Sequence, residues 1–94
     1  MELTELKQKL DNYCELLTKH HREKYPFSDE YYTYTMGKKY IRVINTTKAG
    51  YRYCFCFVDY NGNLYKCAGW KAPAKDIRGH IDNPILDSGA FYKR

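Results

Sequence analysis

Residues 51–68 read YRYCFCFVDYNGNLYKCA, and this stretch decides the fold. Side chains alternate with a period of two from 51 to 60, as in a half-buried β-strand. Asn61 and Gly62 follow, and this pair is a strong hairpin signal because both residues accept a positive φ. Apolar residues then resume over 63–68. The pattern predicts two antiparallel strands joined by a two-residue turn.

A further strand is predicted before this hairpin. Residues 38–45, KKYIRVIN, also alternate, and the connection TTKAG at 46–50 has a length that suits a hairpin. The three segments form an antiparallel meander over residues 38–70. Residues 27–37 are rich in Tyr and Thr, so we expect an extended segment there, with room for a fourth strand of undefined pairing.

The N-terminal residues 2–25 are predicted to form an amphipathic helix. Apolar residues recur three and four positions apart, at Leu3, Leu6, Leu10, Tyr13 and Leu17. Acidic residues lie in the first turn and basic residues in the last, which matches the helix macrodipole at both ends. Pro26 ends the helix because the residue before a proline disfavours the α conformation.

The C-terminal residues 71–94 are predicted to form a loop, a short helix and a tail. Pro73 suits the first turn of a helix, and Gly79 suits its C-terminal cap. Residues 82–84 and 87–89 are predicted to form turns. The basic tail at 88–94 is predicted to be loosely held.

The length of the chain allows one hydrophobic core. Ninety-four residues predict a single domain over 1–94, of the α+β class, with the helix packed on the three-stranded, or at most four-stranded, meander. Sixteen Lys and Arg against eleven Asp and Glu leave a charge of +5, which favours anionic partners but is also compatible with an ordinary charged surface. No apolar run is long enough to cross a membrane and no signal sequence is present, so we expect a cytoplasmic protein without membrane contact.

Three cysteines could lie together on the predicted hairpin. With a two-residue turn, Tyr60 opposes Asn63 and Cys56 opposes Cys67, with Cys54 on the same face. The three thiols could bind zinc with a distant histidine, Cys56 and Cys67 could form a disulfide, or all three could be small buried hydrophobes. The last interpretation is favoured because the spacing is not that of a zinc ribbon and cytosolic thiols stay reduced. We therefore expect neither a bound metal nor a cofactor. A turn one residue longer would also shift the strand register, and Cys56 would then no longer lie opposite Cys67.

The sequence contains no recognisable catalytic motif. A nucleophile elbow, a zinc-binding HExxH, a phosphate-binding loop and a paired-carboxylate arrangement are all missing. His20 and His21 lie at the predicted C-terminus of the helix, where the dipole favours cations. We expect a protein that is not an enzyme and has no catalytic residue.

Basic and aromatic residues are interleaved along the predicted sheet. Strict alternation would place Arg52, Cys54, Cys56 and Val58 on one face of the second strand, and Tyr51, Tyr53, Phe55 and Phe57 on the other. One face must pack on the helix, and the other could present Tyr or Arg to bases and phosphates. A lone Trp usually packs in a core, which favours a core position for Trp70 although an exposed position stays open. The candidate binding residues, for nucleic acid or a protein partner, are Lys38, Lys39, Arg42, Tyr51, Arg52, Tyr53, Lys66, Trp70, Lys71, Lys75 and Arg78.

Parts of the chain resemble a family of small tailed-bacteriophage proteins. The shared pattern is a KYI-type strand, a strand that ends in FVD, a turn with Gly, then YK, a small residue, Trp, KAPAK and an RG. The matching positions are 39–43, 57–59, Gly62, Tyr65, Lys66, 70–75, Arg78 and Gly79. The resemblance covers roughly half the chain and leaves out the N-terminal helix, and Cys67 departs from the residue expected there. It implies a phage origin and a small accessory protein, with no activity that transfers to single residues.

These observations give two expectations for function. The first is a non-enzymatic phage accessory protein that binds, and so inhibits or modulates, a host nucleic-acid-processing or defence complex, as an anti-CRISPR protein does. The alternative is direct binding of DNA or RNA through a basic aromatic sheet face and the WKAPAK loop. In either case we expect a monomer or homodimer in the host cytoplasm.

Overall fold

The computed structural model describes residues 2–86, which form one helix and one antiparallel sheet. The elements are α1 (Leu3–Lys24), β1 (Tyr31–Met36), β2 (Tyr40–Thr46), β3 (Arg52–Asp59), β4 (Asn63–Cys67) and β5 (Pro73–His80). The five strands lie in the sheet in chain order, and each is antiparallel to its neighbour. The α+β class is as predicted, but the sheet of three or four strands is wrong. The predicted turn at 87–89 and the basic tail lie outside the described residues.

The fifth strand replaces the short helix that was predicted over 73–79. Pro73 is the first residue of an edge strand, where a missing N–H breaks no ladder. Gly79 lies opposite Leu64, and an added Cβ would come within 3.0 Å of Ile85 Cδ1. The glycine therefore allows close packing of Ile85, and it does not cap a helix.

The turn between β3 and β4 is longer than predicted. Gly62 N–H donates to the Asp59 carbonyl over 2.9 Å, and Gly62 takes a φ of 88°, which is the left-handed region that favours glycine. The strand pairs are Phe57 with Tyr65 and Val58 with Leu64. This register is shifted by one residue from the prediction, so Cys56 no longer lies opposite its predicted partner.

The Asp59 carboxylate stabilises this longer turn. It accepts hydrogen bonds from the backbone N–H groups of Asn61 and Asn63, both at 2.9 Å, and from the Tyr65 hydroxyl at 2.8 Å. Partial burial acts to raise the pKa of Asp59, but the hydrogen bonds from Asn63, Tyr65 and Asn61 outweigh it and lower the pKa below 3.8. The hydrogen bond that the Tyr65 hydroxyl donates to Asp59 raises the pKa of Tyr65 to about 12.

The core lies between α1 and one face of the sheet. Its helix residues are Leu6, Leu10, Tyr13, Cys14 and Leu17, and its sheet residues include Ile41, Val43, Cys56, Val58 and Leu64. Leu3, the first residue of the predicted stripe, is exposed in the first turn. The Tyr13 hydroxyl donates to the carbonyl of Ile85, which gives this buried polar group a partner.

A β-bulge in β3 breaks the alternation that the sequence predicted. Val43 pairs with Cys56 but Ile44 pairs with Cys54, so Phe55 is an extra residue in β3. Phe55 packs edge-on against Tyr13 on the helix side of the sheet. As a result, Arg52 and Cys54, which precede the bulge, lie on the same face as Phe57, which follows it. Strict alternation had placed them on opposite faces.

Candidate anion-binding face

The sheet face that points away from the helix has an aromatic floor. Phe57 is buried there, with its ring edge-on to Tyr40 at 6.3 Å, and Tyr40 is edge-on to Tyr65 at 5.5 Å. Ile44 is also buried although it is not part of the helix-facing core. The floor therefore gives the far side of a thin sheet a small apolar cluster of its own.

Two arginines stack on the single tryptophan above this floor. The Arg42 guanidinium carbon lies 4.5 Å from the Trp70 ring centroid and 5.8 Å from that of Phe57. The Arg52 guanidinium carbon lies 5.3 Å from the same tryptophan ring. Arg42 Nε also donates to the Trp70 carbonyl over 2.7 Å. The contacts fix both guanidiniums in place, since cation–π pairs and a charge-assisted hydrogen bond restrict a long side chain.

A groove of about 380 Å³ adjoins the stacked arginines. Its walls come from the β1–β2 hairpin, β2, β3 and the loop that follows β4. The lining residues are Thr35, Met36, Gly37, Lys38, Lys39, Tyr40, Arg42, Phe57 and Lys71. Three lysines and an arginine thus surround one concave site with an aromatic base. Together, Lys38, Lys39, Arg42, Arg52, Trp70 and Lys71 are called the basic face below.

The charge on this part of the chain is strongly one-sided. Residues 31–75 contain eight Lys and Arg but a single carboxylate, Asp59, so this segment has a net charge of +7, whereas the whole chain has +5. The Asp59 carboxylate already accepts hydrogen bonds within the β3–β4 turn. Among the described residues, no ion pair within 4.0 Å involves a side chain of the basic face. The face therefore has an uncompensated positive potential that attracts anions.

Five of the predicted binding residues lie elsewhere. The side chain of Tyr53 lies on the helix side of the sheet, as does that of Phe55. Lys66 lies on the same face as Leu64, because the two residues are two positions apart in β4. The other three are Tyr51, exposed in the β2–β3 hairpin, and Lys75 and Arg78 on strand β5. The structure therefore does not bring these five residues together with the basic face, and their role in binding stays a prediction.

Trp70 does not lie in the core, although a core position was expected for the one tryptophan of a small domain. It lies in the loop between β4 and β5 and is 37% exposed. Backbone N–H groups of Ala68 and Gly69 donate to the Ala72 carbonyl, which closes this loop. The loop presents Trp70 to the arginines, a placement that the sequence left open.

The cysteines form neither a three-thiol cluster nor a Cys56–Cys67 disulfide, and the favoured interpretation of three reduced, buried thiols is wrong for Cys54 and Cys67. Cys54 and Cys67 are joined in a disulfide with a Cα–Cα distance of 6.5 Å, and Cys56 is buried in the core on the other side of the sheet. The longer turn and the bulge explain the change, because together they place Cys54 and Cys67 on the same face. Among residues 2–86, no group of three or more potential ligands could hold a metal ion. The disulfide ties β3 to the strand end from which the Trp70 loop departs.

One histidine cluster was missed by sequence reasoning. His21 Nε2 lies 3.0 Å from Ser28 Oγ and also contacts the carboxylate of Glu30. A relay for nucleophilic catalysis uses two different ring nitrogens, one for the hydroxyl and one for the carboxylate. Here a single nitrogen contacts both groups, so the cluster closes the loop after α1 and does not activate Ser28.

The fold and this face define a small α+β protein with a cationic, aromatic sheet surface. The chain belongs to DUF7717, a family of unknown function whose model matches residues 1–92. This match includes the N-terminal helix as well as the sheet. No curated protein and no solved structure shows significant similarity to the chain. Within the described residues, no helix is long and apolar enough to cross a membrane.

Proposed function

We propose that the protein is a non-enzymatic binding protein of bacteriophage origin that engages nucleic acid through its basic face. It would act on a host nucleic-acid-processing or defence complex, in the manner of an anti-CRISPR protein. The phage origin is supported by the KYIRV and WKAPAK pattern at residues 39–43 and 70–75. The observation that carries the binding proposal is the stack of Arg42 and Arg52 on Trp70 beside a lysine-lined groove.

Phosphate is the chemical group that this arrangement suits. A guanidinium presents several N–H donors in a fixed fork, and stacking on Trp70 reduces the side-chain entropy lost on binding. The lysines that line the groove add charge to contact neighbouring phosphates of the same strand. Arg42 keeps its terminal nitrogens for a ligand because its Nε makes the bond to the Trp70 carbonyl.

A single strand fits this site better than a duplex. The groove of about 380 Å³ is near the lower end of small-ligand site volumes, so it admits one or two nucleotides at a time. Tyr40 and Phe57 form its aromatic base, where an unstacked base could pack. A duplex would place both backbones outside the groove and contact only its rim.

The test is binding of labelled single- and double-stranded DNA and RNA, followed by fluorescence anisotropy over a range of salt concentrations. If the five cations Lys38, Lys39, Arg42, Arg52 and Lys71 all contact a single strand, the log–log salt slope approaches about −3.5. Affinity would then fall about 100-fold between about 50 and 200 mM salt. Replacing Arg42 and Arg52 by Gln should reduce the slope by about 1.4.

The matched control removes the same charge from the helix. Lys7→Gln with Lys24→Gln changes two exposed positions of α1, on the other side of the sheet from the basic face. We expect nearly unchanged affinity and slope for this variant. Absent binding, salt-insensitive binding, or equal losses in both double variants would contradict the proposal.

An acidic protein surface is the second candidate ligand. The supporting observation is the exposure of Tyr51 and Tyr53, at 66% and 59%, at one end of β3, and the exposure of Trp70 on the face away from the helix, since tyrosine, tryptophan and arginine dominate interface hot spots. In this case the purified chain would bind no nucleic acid. Capture of a host protein would then depend on Tyr51 and Tyr53 as strongly as on Arg42.

A further inference from the structure

The disulfide between Cys54 and Cys67 lies beside the Trp70 loop, which consists of residues 68–72 between β4 and β5. Cys67 is the last residue of β4, so the loop leaves the sheet directly after the bonded sulfur. Cys54 lies on the face of β3 that also carries Arg52, two residues before it. The bond therefore joins the strand of one stacking arginine to the base of the loop that carries the tryptophan.

The disulfide extends the connection between β3 and β4. The ladder between these two strands ends at the pair of Phe57 with Tyr65. By contrast, β4 pairs with β5 as far as Cys67, which lies opposite Pro73. The bond from Cys67 to β3 thus carries the connection two residues beyond the ladder, to the base of the Trp70 loop.

The Trp70 loop also has noncovalent contacts. The N–H groups of Ala68 and Gly69 donate to the Ala72 carbonyl, at 3.1 and 3.2 Å, and these bonds lie within the loop. Arg42 donates to the Trp70 carbonyl and stacks on its ring. Hydrogen bonds and cation–π pairs at a partly exposed site are individually modest. Reduction would therefore leave the loop freer to move, and with it the ring on which the arginines stack.

The disulfide is accessible to a reductant. Cys54 and Cys67 are both partly exposed, whereas the free thiols of Cys14 and Cys56 are buried. Exposed disulfides exchange more readily than buried ones, and cations near a sulfur favour the thiolate, which is the reactive form. Arg52, on the same face as Cys54, supplies such a cation. Thiol exchange in the native protein is therefore confined to this one pair of sulfurs.

We propose that this disulfide is a redox switch that sets the affinity of the basic face for a nucleic-acid strand. The inference rests on the proposed function, because the switch acts on the same site. A dithiol reductant opens the bond: its first thiolate attacks one sulfur, a mixed disulfide forms, and its second thiol displaces the protein. The reductant ends as its own disulfide, and its two electrons and two protons leave thiols on Cys54 and Cys67. A small-molecule disulfide reverses the reaction by accepting the same electrons and protons.

The oxidised protein is the form with the higher affinity. With the bond closed, Arg42 and Arg52 are held against Trp70 before a strand arrives. With the bond open, both long side chains must be ordered during binding. The affinity lost by ordering two such side chains is about fivefold or more.

The first test is binding of a labelled single-stranded oligonucleotide, by fluorescence anisotropy, to the oxidised protein and to the protein reduced with dithiothreitol. We expect the reduced protein to bind about fivefold or more weakly, and reoxidation with glutathione disulfide to restore the affinity. Equal affinities, with the thiol state verified by mass, would overturn the switch and leave the proposed function standing. Absence of binding in both states would overturn the proposed function and the switch with it.

Two variants separate the bond from general effects of the reductant. Cys54→Ser with Cys67→Ser should bind like the reduced protein in both conditions, with circular dichroism to show that it is folded. The matched control, Cys14→Ala, removes a buried thiol on the helix and should respond to dithiothreitol like the unmodified protein. A folded double variant that binds like the oxidised protein, or that still responds to dithiothreitol, would overturn the assignment.

A second measurement follows the Trp70 loop without nucleic acid. Two guanidiniums lie against the Trp70 ring in the oxidised protein, so reduction should raise the rate at which acrylamide quenches its fluorescence. Reoxidation should return the rate to its first value. An unchanged quenching rate in protein that is verified as reduced and folded would overturn the effect of the bond on the loop.

Discussion

Reduction of the disulfide is expected to destabilise the protein substantially. The bond joins Cys54 and Cys67 across a sequence separation of 13, and closing a loop of this size in the unfolded chain is worth about 3 kcal/mol. A domain of this length has a total stability of only about 5–15 kcal/mol. The reduced protein should therefore retain its fold but lose a large part of its stability margin.

The assay is urea unfolding with and without reductant, followed by Trp70 fluorescence and by circular dichroism. The double variant Cys54→Ser with Cys67→Ser should unfold like the reduced protein in both conditions. Thiol counting supplies the control, because the other two cysteines, Cys14 and Cys56, are free and buried. Burial, together with the nearby Asp11 charge, raises the pKa of Cys14 to about 12, and burial also raises the pKa of Cys56.

Those two thiols should therefore react slowly in the native protein. After unfolding, two thiols per chain should react in the oxidised protein and four after reduction. Four reactive thiols in the unreduced, unfolded protein would show that the bond does not form. Equal midpoints for the oxidised and reduced proteins, with the oxidised state verified by mass, would refute the loop-closure reasoning.

Three further predictions concern the turn and the core. Gly62→Ala should lower the free energy of unfolding by about 2 kcal/mol or more, because a Cβ would meet a histidine ring atom at 2.9 Å as well as requiring a φ of 88°. Gly50→Ala, also at positive φ but with nothing within 4 Å, should cost about 1 kcal/mol, and equal costs in urea would contradict the role of the contact. Leu10→Ala should cost about 2–5 kcal/mol, and a urea-measured loss below about 1 kcal/mol would mean that α1 is not packed on the sheet. Because folding lowers the pKa of Asp59, its stabilisation is complete above the unfolded pKa and is lost as pH falls below about 4, through the folded pKa. Asp59→Asn should flatten the pH dependence of unfolding in this range, and an unchanged acid profile would contradict this assignment.

The helix and the central meander could be predicted because their signals are local. The spacing of Leu6, Leu10 and Leu17 fixes both the helix and its buried side. The edge strands were missed for opposite reasons. The Tyr and Thr content of the β1 region predicted an extended segment but did not indicate which strand it pairs with. Strand β5 begins with Pro73, which suits the first position of a helix as well as that of an edge strand.

The site could be predicted only in part because it depends on two single-residue irregularities. The longer turn at Gly62 and the bulge at Phe55 each shift the register by one, and each shift changes which side chains share a face. The bulge brings Arg52 onto the face of Arg42, whereas strict alternation places Cys54 with Cys56. Neither irregularity has a clear signal in the alternation of the strands. The Asp59 side chain, which accepts the backbone N–H groups of the turn, is the one feature that could have indicated the longer loop.

The most direct test of the account uses the single tryptophan of the chain. Both arginines of the basic face lie against the Trp70 ring, so a nucleic-acid strand bound there must change its fluorescence. The measurement is a titration of the unmodified protein with unlabelled single-stranded oligonucleotide, repeated at several salt concentrations. If nucleic acid binds at the basic face, Trp70 emission should change saturably, with an affinity that weakens steeply as salt rises and that falls when Arg42 and Arg52 are replaced by Gln. Unchanged emission at low salt, with strand concentrations in the tens of micromolar, would contradict the assignment of the basic face as a nucleic-acid site.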